Sequence, residues 1–499
     1  MNDFSERPPF FIFEMANNHQ GDLGHGLRII EAMGEISRKF GIRAGVKFQY
    51  RDLDSFIHPS AATGEQKHVV RFRETRMAKD GYKAMVEAVR AEGMTVVCTP
   101  FDEQSVADLV SHGVEIIKVA SCSANDWPLL SAIVAAKKPV ILSTGGLSLD
   151  EIDQVVTFLE HRNVVSLSIL HCVGVYPTPP ELINLNVMKR LQQRFRRYEV
   201  GYSGHEAPDD TSVVMCAIAK GARILERHVG LPTDKVSLNA YSMSPQQVER
   251  WVEAALAALR IGGREGGEKD ISSSEAESLR SLRRGAFVRS SVKKGDALTS
   301  SEVYFAFPCA VGQTSASEYQ DGILATRAYA VDEPLMERRG PSSVSEVRGI
   351  IREAKSMLRE ARIEVGNRFL VEMSHHFGVE NFRKVGCVLV NVVNREYCKK
   401  LLVMIPGQRH PNHRHLIKEE TFQLLSGDIE ITVDGNEVRR LTPGETFLIE
   451  RGQWHAFSTE SGCIVEEIST THVVGDSEYQ DPLISRLDPM QRKTILEAW

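Results

Sequence analysis

The stretch FFIFEMANNHQGDLGHGLRIIEAMGEISRKFGIRAGVKFQY, residues 10–50, contains one full period of the pattern that decides the fold. An apolar run, FFIFEMA, gives way to LRIIEAMGEISRKF, whose apolar residues recur at helical spacing, and a second apolar run, AGVKFQY, follows. The same alternation continues through TVVCTPF, IIKVAS, PVILSTG, VVSLSILHC, EVGYSG and ARILERHVG, with amphipathic stretches such as YKAMVEAVRAEG and QQVERWVEAALAAL between or after them. Roughly eight βα units over about 260 residues call for parallel strands joined by helical crossovers. The expected architecture is α/β, a closed (β/α)8 TIM barrel, with an open doubly wound sheet as the alternative.

A chain of 499 residues is too long for one core. The remainder beyond the barrel divides at IGGREGGEKDISSSEAES, a glycine-rich and then polar joint. Expected boundaries are a barrel domain at 1–265, a small β-rich domain at 280–340, a helical linker region at 343–385 and a β-barrel at 386–485. The last is read from CVLVNVV, KKLLVMI, TFQLLSG, IEITVDG, ETFLIE and CIVEEIS, short strand-like runs separated by turns such as VDGNE and TPGET.

A formal charge of −6, with basic and acidic residues interspersed, gives no nucleic-acid footprint, and RLQQRFRR at 190–197 reads as the solvated face of a helix. Eight cysteines without CxxC pairs fit reduced thiols better than a disulfide framework. The start, MNDFSERPPFFIFEMANNHQGD, lacks the basic and apolar regions of a signal peptide, and no apolar run is long enough to span a bilayer. The expectation is a cytoplasmic enzyme without a membrane partner.

In a barrel of this type the catalytic groups stand at the carboxyl ends of the strands. The polar residues that end the apolar runs are Glu14, Lys47, Gln49, Thr99, Lys118, Ser121, Ser143, Tyr176, Ser203, His205, Glu226 and His228. Two lysines and several hydroxyls suit a phosphate or carboxylate, and two histidines suit a divalent ion with open positions for oxygen.

The ordered set EMANNHQGD, VKFQ, TPFD, IKVAS, LSTGG, HCVGVYPTPP, GYSGH and ERH resembles the sialic acid synthase family, and RRGAFVRSSVKKGDALT resembles the antifreeze-like or SAF domain that ends such synthases. The resemblance implies condensation of phosphoenolpyruvate with an open-chain aldose. It implies a divalent metal, Mn2+ or Mg2+, on His205 and His228. Phosphoenolpyruvate would be held by Lys47, Thr99, Lys118, Ser121, Ser143 and Tyr176, with Ser203 near the phosphate. Glu14, Gln49 and Glu226 would orient the sugar or move protons, the base among them being unassigned. It also implies a homodimer with the SAF domain over the partner barrel.

The chain departs from the family pattern at four places. It has Ser203-Gly204-His205 where the family usually reads Ser-Asp-His, Gly174 for a small polar residue, Leu238-Asn239 for an Asp-His pair, and Phe307-Pro308 for Arg-Pro. The first two weaken support around phosphate and metal, and the third removes a carboxylate near the sugar. An apolar ring at 307 cannot donate to an acyl carbonyl, which argues against the usual N-acetyl sugar.

In GQRHPNHRHLIKEETFQLLSG, His413 and His415 are two apart on one strand and share a face, Glu420 arrives on the next strand, and His455 follows in GETFLIERGQWHAF. Three imidazoles and a carboxylate at this spacing read as a cupin metal site for Mn2+, Zn2+, Fe2+ or Ni2+. His410 reads as a surface residue. The run PGQRHPNHRHLIKEETF with VEEISTTHVVGDSEYQD resembles cupin-type D-lyxose isomerases, which implies Lys418 and Glu466 or Glu467 as active-site candidates. The module would isomerise or epimerise a sugar, sense one, or build a dimer. The alternatives for the whole chain are a cupin sugar isomerase with a degenerate barrel and a sugar-binding or scaffolding protein.

Overall fold

The computed structural model describes residues 8–263, 269–337, 343–366 and 369–496. Residues 1–7, on which part of the reading against a signal peptide rests, and 264–268, within the glycine-rich joint, lie outside them. The chain divides into two compact units, with the boundary between Asp270 and Ile271.

The first unit is the expected closed barrel. Its strands are β1 (Phe10–Glu14), β2 (Arg43–Tyr50), β3 (Thr95–Pro100), β4 (Ile116–Val119), β5 (Val140–Ser143), β6 (Leu167–Cys172), β7 (Glu199–Gly204) and β8 (Ile224–His228). Each is parallel to its neighbours, and β1 closes the ring against both β2 and β8. The helix Leu23–Phe40 shows why the crossovers form. Asp22 caps its first turn by accepting from His25 N, Ile29, Ile30, Met33 and Ile36 form its buried stripe, and Gly41, at φ 59°, ends it by donating to Arg38 O.

Period-two alternation sorts each strand into two faces. Phe11 and Phe13, Val46 and Phe48, Val140 and Leu142 belong to the large core between strands and helices. Phe10, Ile12, Val97, Ile141, Leu170 and Ile224 form a separate cluster that fills the barrel interior. Where β7 would add to that interior layer it carries Gly201, because a Cβ there would lie 2.3 Å from Ile224 O. Continuing the inward phase by two residues leads from Ile12 to Glu14, from Val97 to Thr99, from Ile141 to Ser143 and from Ile224 to Glu226. The apolar layer is thus followed directly by a polar one at the carboxyl ends.

In the second unit, Gly285–Val288 pairs with Val303–Ala306 and Ala297–Leu298 with Ile323–Leu324, both antiparallel, around Ala286, Val288, Leu298 and Leu335. The polar end of the joint is not extended linker: Ser273–Ser281 is a short helix capped by Ser272. The cupin region has a seven-stranded and a five-stranded sheet, with Phe422, Leu424, Ile431, Phe457 and Val465 in one core cluster. Leu401 and Val403 point to the opposite face from Leu402 and Met404, and there the helix Ser343–Glu360 buries Ile350, Ile351, Ala354 and Leu358. Among the described residues, no helix is long and apolar enough to cross a membrane.

One buried ion pair fastens the β7 end to β8. Arg227 Nη1 lies 2.5 Å from Glu206 Oε1, Arg227 Nη2 donates to Glu206 O at 2.8 Å, and Tyr202 OH donates to Glu206 Oε2 at 2.9 Å. Glu206→Ala leaves the guanidinium buried without its carboxylate, so a loss of about 3 kcal/mol in stability is expected. Denaturant unfolding followed by circular dichroism checks this, and a loss below about 1 kcal/mol contradicts it.

Candidate functional site

The polar layer of the barrel is a connected set of charges. Lys47 Nζ, on β2, lies 2.5 Å from Glu14 Oε2 on β1 and 2.7 Å from Glu226 Oε1 on β8. Lys118 Nζ is 3.5 Å from the same Glu226 oxygen, and Ser203 Oγ donates to it at 2.9 Å. All five side chains are buried. Burial works against the charge of Lys47, but the carboxylates of Glu14 and Glu226 outweigh it and hold the ammonium above the usual lysine pKa. Lys118 has less compensation: burial dominates and lowers its pKa, Glu226 only partly opposing. For Glu226 burial would raise the pKa, but Lys118 and Lys47 together hold it well below the usual carboxylate value.

Around this cluster stand polar atoms with nothing to bond. Thr99 Oγ1, Ser143 Oγ and Glu226 Oε2 are buried without a hydrogen-bond partner among the described residues. Such atoms are costly in a folded interior unless a ligand or water meets them. Ser121 Oγ is occupied by Gly145 N at 2.9 Å, and Gln49 Oε1 by Arg51 Nη2 at 2.9 Å.

His205 and His228 face each other with ring centroids 5.3 Å apart. Burial lowers both to about 3, with His228 adding to the shift of His205 and Lys47 to that of His228. Both imidazoles are therefore neutral, the form that donates a lone pair to a metal. His205 Nδ1 donates to Val173 O at 3.1 Å, which leaves Nε2 as its free acceptor, and His228 Nδ1 is buried without a partner. The pair fits a divalent ion, although among the described residues it does not belong to a group of three or more His, Cys or carboxylate ligands.

Two residues carried no signal in the sequence. Tyr241 places its ring 5.0 Å from His228 and 5.2 Å from that of the exposed Tyr176, itself 4.3 Å from His205. Asn239, one of the departures from the family pattern, accepts from Tyr241 N and Ser242 N through its side-chain oxygen and so holds the turn that carries Tyr241. Arg51 is the second, away from the histidines, where it donates to Gln49 Oε1 and lies over the rings of Phe72 and Phe101. At Gly204 a Cβ would meet Glu206 Oε2 at 2.4 Å, so Glu206 occupies the space that a side chain at 204 would enter.

In the cupin, His413, His415, Glu420 and His455 each turn one ligand atom to a common point, all within 4.8 Å of one another. His413 Nδ1 is bonded to Pro411 O at 3.0 Å and His455 Nδ1 to Gln453 O at 3.1 Å, while His415 Nδ1 faces Ser477 Oγ at 3.5 Å. These contacts direct the Nε2 atoms inward. His455 Nε2 and Glu420 Oε2, 3.2 Å apart, are buried with no hydrogen bond. A metal ion satisfies both, so the residues fit the group.

Lys418 bonds Glu420 Oε1 and also Glu467 Oε1, the latter at 3.0 Å. Ser469 Oγ donates to the same Glu467 oxygen at 2.9 Å. Glu466, next in sequence, points to the other face of its strand and pairs with Lys399 at 2.6 Å, so the structure brings Glu467 and not Glu466 to the metal set. Lys418, Glu467 and three of the ligands, His413, His415 and Glu420, line one cavity of about 100 Å3. His410 corrects the expectation of a surface residue. It is buried, its ring stacks 4.6 Å from Phe457, and its Nε2 is 3.1 Å from His376 Nε2. It shares the inward phase of His413 and His415 only because the strand Arg409–His415 changes register between His410 and His413.

Residues 36–265 match the NeuB family and residues 400–466 match the cupin domain. A crystal structure of a Chromobacterium violaceum protein named after spore coat polysaccharide biosynthesis protein E is 46% identical, with a TM-score of 0.63, over 66% of this chain and 98% of that one. Human N-acetylneuraminate-9-phosphate synthase is 29% identical over 52% of this chain and 72% of its own length. N,N'-diacetyllegionaminic acid synthase of Campylobacter jejuni is 26% identical over 65% of this chain and 98% of its own. Identical at 46% to a protein that it covers over 98% of its length, the chain belongs to the NeuB family and carries a cupin domain beyond it.

Proposed function

We propose that the barrel condenses phosphoenolpyruvate with an open-chain aldose to give a sialic-acid-like 2-keto-3-deoxy sugar acid and phosphate. The observation that carries this reading is the buried Lys47, Lys118 and Glu226 cluster, with Thr99 and Ser143 hydroxyls unpartnered around it. Two ammonium groups match the charge of phosphoenolpyruvate, and the hydroxyls of Thr99, Ser121, Ser143 and Tyr176 supply directed donors, with Ser203 beside them near the phosphate. C3 of phosphoenolpyruvate bonds to the aldehyde carbon, water adds at C2, and loss of phosphate leaves the ketone. The amide of Gln49 cannot take a proton, and Glu226 is held ionised by its two lysines. Gln49 therefore suits orientation, and Glu14 and Glu226 are the two carboxylates placed to orient the sugar or move protons. Held by His205 and His228, a divalent metal, Mn2+ or Mg2+, supplies Lewis-acid polarisation of the aldehyde.

The cupin acts on or binds a sugar in the cavity of Lys418 and Glu467. Its ion, on His413, His415, Glu420 and His455, supplies polarisation of adjacent sugar oxygens when bound. A carboxylate such as Glu467, beside that set, is placed to carry a proton between neighbouring carbons, in keeping with the likeness to D-lyxose isomerases. The small β-rich module takes the SAF role of these synthases, the domains divide at 1–265, 280–340, 343–385 and 386–485, and the protein works in the cytoplasm as a homodimer. A protein named for polysaccharide biosynthesis among the relatives supports a place in surface carbohydrate synthesis.

Phosphate release from phosphoenolpyruvate with manganese, across a panel of acylated and non-acylated aldoses, tests the barrel. Release that requires one sugar class is expected, and release with none of them sinks the reading. His228→Ala should lower the rate by about two orders of magnitude or more. A variant at full rate removes the histidine pair from the reaction. For the cupin, His413→Ala combined with His415→Ala should lose one equivalent of bound metal per chain by elemental mass spectrometry. Unchanged metal content contradicts the ligand set.

A further inference from the structure

Arg51 follows β2 in the same phase as Lys47 and Gln49, one step further out towards the barrel mouth. Its guanidinium lies between two aromatic rings, 3.6 Å from the centroid of Phe101 and 4.3 Å from that of Phe72. One N–H donates to Gln49 Oε1 at 2.9 Å, while Nε is buried with no partner among the described residues. It borders a cavity of about 110 Å3 shared with Asn17, Gln49 and Tyr82.

The neighbouring charged side chains already have partners, Asp52 accepting from Ser55 Oγ at 2.7 Å. Arg76 pairs with Asp54 and Lys79 with Asp108, both within 2.8 Å, and Arg71 donates to Gln20 Oε1 and Asn17 O. Asp102 accepts from Ser105 and from Asp52 N, and Glu14 is taken by Lys47. Arg51 is left without a carboxylate bonded to it among the described residues. The two rings pack against the guanidinium and leave its N–H groups as the binding surface. These groups form a fork that matches two oxygens of a carboxylate or phosphate. A half-buried cation without an anion carries a desolvation cost, and an anionic ligand offsets it.

We propose that Arg51 binds a carboxylate or phosphate on the acceptor aldose, remote from the aldehyde, so that the barrel selects a negatively charged sugar. The inference rests on the condensation reading for the identity of the acceptor. Phosphoenolpyruvate itself is served by Lys47 and Lys118 one layer deeper, which leaves the outer guanidinium for the second substrate.

The test uses the full chain and matched triplets of a neutral aldohexose, its 6-phosphate and its 6-carboxylate, in the manno, gluco and galacto series. Binding is measured by titration calorimetry, and phosphate release by turnover with phosphoenolpyruvate. One charged member should bind about tenfold tighter or more than its neutral parent, and that ratio should fall about tenfold in Arg51→Gln. Whether the phosphate or the carboxylate wins names the source of the charge. Arg51→Lys, which keeps the charge and loses the fork, should fall between the two and carries the comparison if Arg51→Gln does not fold. Equal binding of neutral and charged sugars overturns the proposal. A preference that survives in Arg51→Gln also overturns it, because the anion then sits on Lys47 and Lys118. The expected binding pattern without any phosphate release leaves Arg51 as the anion site and removes the condensation reading instead.

Discussion

One buried ammonium organises the barrel mouth. Lys47 on β2 holds Glu14 of β1 and Glu226 of β8, so its two ion pairs tie three consecutive strands at the place where the first strand closes on the last. Burying these charges costs several kcal/mol per ion before their attraction is counted, and apolar side chains of similar size would fill the space at lower cost. A cluster of this kind is poor value as a packing device. It makes sense as a preformed receptor, in which Lys118 and Glu226 already stand in place and the unpaired hydroxyls of Thr99 and Ser143 await a partner.

The same alternation that builds the core also delivers this layer. Side chains along a strand change face at every residue, so Phe10 and Ile12 fix Glu14 on the inside, and Ile224 fixes Glu226 and His228. That is why the strand-end residues could be read from sequence. Eight short apolar runs gave the ring, and the polar residue ending each run gave its inner mouth. The cupin ligands were legible for the same reason, since His413 and His415 repeat at the period of a strand.

Part of what escaped the sequence lacks such a period. Tyr241 lies in a loop segment, and only the Asn239 turn brings it to the histidines, whereas Arg51 keeps the phase of β2 but lies past its end, where the rings of Phe72 and Phe101 hold it. His410 was misjudged because a register shift within its strand brings it inward against Phe457 and His376. Glu466 and Glu467 could not be separated without knowing which face of their strand meets Lys418. The helix Ser343–Glu360 reads as a connector by composition, yet its stripe of Ile350, Ala354 and Leu358 covers the outer face of the larger cupin sheet.

The two centres share one chemical preparation. Burial lowers the pKa of His205 and His228 in the barrel and of His413 and His415 in the cupin, and a ring nitrogen is left free of hydrogen bonds at His228 and His455. The barrel adds paired lysines and suits a phosphorylated, carboxylated substrate, whereas the cupin sets one lysine between two glutamates and suits proton movement on a sugar. The most direct measurement is carbon NMR of the full chain incubated with manganese, an aldose and phosphoenolpyruvate labelled with 13C at C3. The account predicts that the labelled vinyl carbon becomes a methylene coupled into a new sugar acid. Label that remains in phosphoenolpyruvate, or appears only as the methyl group of pyruvate, contradicts carbon–carbon bond formation at this barrel.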